Sequence, residues 1–446
     1  MFGTGLGHYI PVVAYIVCWG LCLVALAGRP LYTFYFIIPL LPYRTLRDKF
    51  LDYPLGGNIL TIMIFVTIVG ALMHGKRLPR SGLYLTWLVF ATYLYLSMWL
   101  GTALGNAPPP LWLSDDNFMM WKDYLLIPLV FVAAGLVIED RKSLRNVLIV
   151  SALSLLVIDR TSLANSMSRT WTHFDEDKRD GGPLGFAGSN GLAAFLSQFG
   201  IFFWGLLQFV KTKRYKLFGY GLVALTLFAT MYTFSRASYI AVVAGALLLG
   251  LLKDRKLILV VAVFLFTWQL VVPLAVTERV NMTENSNGQL EKSAQERVDL
   301  WTAAKETIIH NPIFGTGYAT YQYGFHKDNL RDTHNWYVKV MLETGIIGAF
   351  IVLIMLAQIV IMPFQLFRKA EDPLYKGLGL GLFLAVCCNL ISNCFGDRWT
   401  YLEINGLLWA LLGAAARARS LPQTYETPAL ESAESVAGVN PYMAYR

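Results

Sequence analysis

The chain reads as an all-α integral membrane protein. Of its 446 residues 56% are hydrophobic and only 15% are charged, whereas an ordinary soluble domain carries about 25% charged residues. Mean hydropathy is +0.49. Apolar runs long enough for a bilayer, which takes roughly 20 helical residues to cross, recur from one end to the other with short polar connections between them.

Taken in order, spans are expected near 9–27, 58–74, 82–101, 124–138, 146–158, 191–210, 217–232, 237–252, 257–276, 336–362, 377–395 and 401–416. The run 31–41 is too short for an upright crossing and reads as a half-span or part of a bent helix. Together these give about 12 or 13 crossings.

The net charge of +8 is dispersed in short clusters rather than gathered on one face, so no nucleic-acid partner is expected. The clusters are Lys76, Arg77 and Arg80; Arg141, Lys142 and Arg145; Lys211, Lys213, Arg214 and Lys216; Lys253, Arg255 and Lys256; Arg368, Lys369 and Lys376; and Arg417 with Arg419. They fall in alternate connections, the pattern that marks cytoplasmic loops. Segments 102–123, 159–190, 233–236, 277–335 and 396–400 are then placed outside the cytoplasm. The first 30 residues lack a basic n-region, so the first span is expected to be retained, and Arg29 after it favours an external N-terminus. All five cysteines lie in or beside spans, which implies no disulfide framework, and the adjacent Cys387-Cys388 reads as helix packing.

One polytopic domain is expected over 1–419, followed by a disordered cytoplasmic tail over 420–446 that has no apolar periodicity. Two external loops are long enough to fold, 159–190 and 277–335. The second should contain a helix from Ser293 to Ile309, stopped by Asn311-Pro312, with a turn at Gly315-Thr316-Gly317. Span interiors are nearly free of charge. Lys339, Glu343 and Glu403 are the exceptions, each near an external end. An ion-coupled transporter would set charges near the midplane, so the chemistry expected here is interfacial.

Three external residues stand out. Arg179 ends the first loop, Arg236 sits in the hairpin Phe234-Ser235-Arg236-Ala237-Ser238, and His334 lies where the second loop re-enters the membrane. Arginine's forked donors suit phosphate oxygens, and histidine exchanges a proton near neutral pH. Two arginines for a diphosphate and one histidine for a hydroxyl would make a transferase site. The plainer readings are an Arg236 that snorkels to headgroups, an Arg179 in a solvated acidic loop and a structural histidine. Gly345, eleven residues after His334, falls about three turns on. It is expected on the same helix face, where with Gly348 it would let a neighbouring span approach. No paired histidine spacing supports a metal cage, and Asp175-x-Asp177 reads as a solvated charge run.

With these residues in place, the chain resembles the bacterial O-antigen ligase/polymerase family of membrane glycan transferases. The matching features are Arg179-Asp180-Gly181 leading to Gly188-Ser189-Asn190-Gly191; Ser235-Arg236; Arg297-x-x-x-Trp301 with Asn311-Pro312-x-x-Gly315-x-Gly317; and His334-Asn335 followed after ten residues by Gly345. The resemblance implies a GT-C-like fold whose two external loops form the active site. It implies transfer of a glycan from an undecaprenyl-diphosphate carrier to an acceptor hydroxyl at the outer face of the bacterial inner membrane, among membrane lipids, with no cofactor and no metal. His334 would be the general base, with Arg179 and Arg236 on the diphosphate. Arg297, Arg331, Asp332, Asn190 and Asn335 are further substrate-binding candidates. The histidine–glycine spacing favours a ligase acting on lipid A–core. A polymerase joining lipid-linked repeats is the alternative, and a lipid-linked glycan transporter is a second, which would need a polar path across the spans.

Overall fold

A computed structural model describes residues 9–105, 107–112, 115–167, 173–176, 179, 181–282, 292–324 and 333–423. Arg331, Asp332 and nearly all of the expected tail lie outside them. Among the described residues there are α-helices and short 3-10 turns and no strand.

The N-terminal half runs through α1 (Ile10–Leu26), α2 (Pro30–Leu40), α3 (Arg44–Arg47), α4 (Ile59–Met73), α5 (Leu83–Gly105), α6 (Asp116–Val137), α7 (Arg141–Met167) and α8 (Gly188–Leu207). The hairpin α9 (Lys213–Met231) and α10 (Arg236–Leu252) follows, then α11 (Lys256–Val271) and α12 (Leu274–Asn281). After α13 (Lys292–His310) and α14 (Tyr321–Gly324) come the long α15 (Trp336–Lys369), α16 (Pro373–Asn393) and α17 (Leu402–Ala418). At the centre α16 packs on α8, α15 and α10, while α17 packs on α6. Of these, α8 and α16 are largely enclosed by their neighbours, whereas α15 keeps an exposed apolar side.

Seven helices among the described residues are long and apolar enough to cross a bilayer, or eight if α11 and α12, bent by 108°, count as one span. The all-α membrane class therefore stands, with a smaller set of full-length crossings than the apolar runs promised. Helix length accounts for part of the difference. Ile10–Leu26 and Arg236–Leu252 have 17 residues each, a rise of about 25 Å against a hydrocarbon core of about 30 Å. The run expected as a half-span is the 11-residue α2.

A second difference concerns the first external loop, which was expected from residue 159. Helix α7 instead continues to Met167, which carries Asp159 into the bundle. It is fully buried there and accepts a hydrogen bond from the Thr226 hydroxyl at 2.6 Å. Cys388 packs as expected: it is buried with its thiol against the Ala241 carbonyl, 3.3 Å away, between α16 and α10.

The basic connections share one end of the molecule. Lys76 pairs with Glu139, Arg141 with Asp372 at 2.6 Å, and Arg417 donates to the carbonyls of Arg77 and Gly135. Lys253 lies over the Phe209 ring at 4.5 Å. Helices α16 and α17 span between that end and the opposite one: Asp372 precedes α16 and Arg417 closes α17, while Asn393 and Leu402 face each other across the far connection.

Candidate active site

At that far end lies a cavity of about 490 Å³ whose walls come from widely separated parts of the sequence. Arg179, Arg236 and His334 all line it, as do Asn190 and Arg297. Two arginines the sequence reading passed over, Arg279 and Arg398, line it as well, with Glu176 and Glu296 as the acidic members. Five guanidinium groups thus face two carboxylates in one concave space.

The first wall is built around Glu176. Its carboxylate accepts from Arg179 Nη1 at 2.6 Å and pairs with Arg279 Nη1 at 3.4 Å. Arg179 also donates from Nη2 to Asn190 Oδ1 at 2.8 Å and from Nε to the Thr233 carbonyl at 3.2 Å. Three of its five donors are taken by fixed partners, so the fork is oriented before any substrate arrives. Asn190, at the start of α8, serves as the hand that holds Arg179. The Arg279 guanidinium lies 4.7 Å over Phe174, whose ring packs edge-on against Phe234 at 5.3 Å. Arg236 opens α10 directly after Ser235, with Phe234 forced to φ 54 in the hairpin. A bulky residue in the left-handed region is strained by about 1–3 kcal/mol. Burial of Phe234 against two aromatic neighbours offsets it.

His334 lines the cavity just before the start of α15. Its φ of 49 is left-handed, and it projects exposed between the buried residues Thr333 and Trp336. The backbone around it is fastened on both sides. Trp301 Nε1 donates to the Thr333 carbonyl at 2.9 Å, and Asn335 caps α15 by accepting from the amides of Tyr337 and Val338 at 3.0 and 3.3 Å. Asn335, expected to touch substrate, is absent from the cavity lining and spends its side-chain oxygen on the helix. Trp301 lies one turn beyond Arg297 on α13, which explains the Arg297-x-x-x-Trp301 spacing: one residue faces the cavity and the other holds the histidine loop.

Gly345 does something different from what its position three turns beyond His334 suggested. It does not sit on a continuous helix face under a neighbouring span; α15 is broken there, with φ 61 and ψ −166. The turn after α13 fills the break. Thr316 N and Gly317 N donate to the Leu342 and Glu343 carbonyls at 3.0 and 2.9 Å, and Ile346 N donates to Pro312 O at 2.9 Å. A Cβ on Gly345 would stand 2.3 Å from the Ile313 carbonyl oxygen. The Asn311-Pro312-x-x-Gly315 stretch and Gly345 therefore form one joint that locks α13 to the segment carrying His334.

A third wall comes from the connection between α16 and α17, through Ser392, Phe395 and Arg398. It rests on a buried amide ladder. Asn389 Nδ2 donates to Gln198 Oε1 and Asn405 Oδ1 at 2.9 and 2.8 Å, and Asn393 Nδ2 donates to Asn389. Asn405 Nδ2 holds the carbonyls of Arg398 and Trp399 at 2.6 and 2.9 Å, and Asn393 Oδ1 accepts from Arg398 N at 2.9 Å. Buried amides left unpaired would cost about 1–3 kcal/mol each. Asp397 completes the loop by accepting from Lys339 Nζ at 2.9 Å and from the Thr400 hydroxyl at 2.7 Å. Burial by itself would raise its pKa, but the Lys339 ammonium and the Thr400 donors together bring it below the ordinary carboxylate value. Lys339 and Glu403, two of the three charges noted near span ends, are thus paired: Glu403 accepts from Arg47 at 2.6 Å and Arg44 at 3.2 Å.

Residues 221–353 match the family described as O-antigen ligase. The resemblance to O-antigen ligases and polymerases read from the sequence is borne out. That segment contains Arg236, Arg279, Arg297, Trp301, His334 and Gly345, whereas Arg179, Asn190 and Arg398 reach the cavity from outside it. Among curated proteins no match is found. The chain is accordingly a multi-pass membrane protein with a segment similar to the O-antigen ligase family.

Arg398 carried a readable signal. It lies in a short connection that the charge pattern put outside the cytoplasm, the same signature that picked out Arg236. Arg279 lies in the external segment 277–335 as well, but nothing in that long segment singles it out; the bend between α11 and α12 is what places it at the cavity.

Proposed function

We propose that this protein moves a glycan from an undecaprenyl-diphosphate carrier to an acceptor hydroxyl, as an O-antigen ligase acting on lipid A–core at the outer face of the bacterial inner membrane. The observation that supports it most is the meeting of five arginines and one histidine in a single cavity at the end of the bundle away from the basic connections. By the positive-inside rule the basic end is cytoplasmic. The cavity then opens where lipid-linked glycans wait for assembly.

His334 takes the proton of the acceptor hydroxyl while that oxygen attacks the anomeric carbon. The bond from this carbon to the diphosphate oxygen breaks, so the configuration inverts and negative charge collects on the departing diphosphate. Arg179 and Arg236 receive that charge. Preorganised donors of this kind act most strongly where charge develops in the transition state. Among the described residues no group of three or more His, Cys, Asp or Glu side chains is placed to hold a metal ion, and the arginines perform the electrostatic task in this scheme.

Arg236→Lys keeps the charge at the start of α10 but loses the bidentate fork. Turnover of lipid-linked donor by purified protein should fall by about tenfold or more. Equal turnover would mean that Arg236 merely anchors to headgroups. The reaction itself is tested by reconstitution with a lipid-diphosphate glycan and two competing acceptors, lipid A–core and a second lipid-linked glycan. Product on lipid A–core supports ligation, elongated lipid-linked product shows a polymerase, and translocation without a new glycosidic bond shows a transporter.

A further inference from the structure

We propose that Arg398 is a further substrate-contacting residue of this cavity, an anion ligand for the donor diphosphate that the fold sets in register with His334. The inference rests on the glycan-transfer reading and extends it to a loop outside the ligase-family segment.

Arg398 and His334 belong to one mechanical unit. Lys339, five residues beyond His334, pairs with Asp397 at 2.9 Å. The rings of Trp336, two residues after His334, and Trp399, next to Arg398, lie 5.1 Å apart, and both are buried. Two side-chain links therefore join the segment just after His334 to the residues on either side of Arg398. The amide ladder from Gln198 through Asn389, Asn393 and Asn405 holds the Arg398 backbone by both its amide and its carbonyl.

So many buried polar groups on one short connection are not needed to join two helices. Their common effect is to fix the backbone of a residue whose side chain lines the cavity. Arg179 and Arg279 are already joined through Glu176 on the other wall. A diphosphate between the walls would meet cations from both sides, and Arg398 is the one whose position moves with the base. Asp397, which contacts Lys339 and its own loop, acts as a positioning residue through Arg398.

The test uses full-length protein in detergent and follows inorganic diphosphate as a competitor of donor binding, alongside glycan transfer. Arg398→Ala should weaken diphosphate binding by about 10- to 100-fold, as loss of a charge-assisted contact does, with Arg398→Lys recovering part of it and the thermal midpoint unchanged. Asp397→Asn should reproduce the loss, and the double variant Asp397→Asn with Arg398→Ala should be no worse than Arg398→Ala alone. Unchanged diphosphate binding in Arg398→Ala, additive losses in the double variant, or no diphosphate binding by the unmodified protein would each overturn the proposal. Unmodified protein that binds diphosphate through Arg398 yet forms no glycan product would instead overturn the transfer reading and leave the anion site in place.

Discussion

Replacing His334 by alanine is expected to lower glycan transfer by about 10²–10⁴-fold, the usual contribution of a positioned general base, while the protein is made and folds normally. The structure gives the reason for the second half. His334 is exposed, so removing its ring takes nothing from the packed interior. The backbone stays fixed by Trp301 on Thr333 and by the Asn335 cap, neither of which uses the imidazole. Alanine would retain the left-handed φ of 49 at a cost on the order of 1 kcal/mol, which a thermal midpoint in detergent would register as a small shift. The decisive comparison is transfer rate against that midpoint, with diphosphate binding as a third reading. A base should lose rate and keep both of the others. Near-normal transfer by His334→Ala would remove the histidine from the mechanism, and a matching collapse of stability would reassign it to the scaffold.

The second large effect belongs to Gly345, and it is a folding effect. At φ 61 and ψ −166 the residue occupies a region essentially reserved for glycine. An added Cβ would meet Ile313 O at 2.3 Å and Gly315 N at 2.6 Å, both of them backbone atoms that cannot rotate away. Gly345→Val must either push the 312–317 turn out of the break in α15 or straighten the helix. Either course gives up the hydrogen bonds that Thr316, Gly317 and Ile346 make across the joint. Backbone strain of about 1–3 kcal/mol adds to those losses, so monodisperse protein should be largely absent on size-exclusion chromatography. Gly221→Ala in α9 supplies the contrast: nothing lies within 4 Å of its added Cβ, and helix propensity favours alanine by about 0.5–1 kcal/mol. Gly345→Val as stable as Gly221→Ala would show that the break in α15 is not required.

These two residues show how far the sequence could be read. His334 was legible because chemistry and topology coincide: a proton-exchanging side chain stands at the exact junction of a polar loop and an apolar run. Gly345 was legible as a position but not as a role. Counting turns assumes an unbroken helix, and nothing local announces that a turn 30 residues upstream will enter the helix and take over its hydrogen bonds. The same limit applies to Asn335, which looks like a ligand beside a histidine and serves as a cap. Asn190 was grouped with the substrate contacts; it lines the cavity, and its oxygen also holds Arg179, which the sequence did not announce.

The amide ladder marks the boundary most clearly. Gln198, Asn389, Asn393 and Asn405 are single polar residues in three apolar helices, and each alone reads as an isolated blemish. Only packing of α8, α16 and α17 around a common axis turns them into one hydrogen-bonded network.

By itself the sequence determined that the chain is helical and membrane-borne, which connections carry the positive charge, and that arginine and histidine gather in the opposite set. Hydropathy and charge act through transfer to lipid, a property each segment has on its own. Tertiary structure decided which of those residues share a cavity, that Arg279 and Arg398 join them, and that Gly345 is a joint. Such contacts depend on bends, breaks and side-chain partners supplied by distant segments, and no single stretch of the chain contains them.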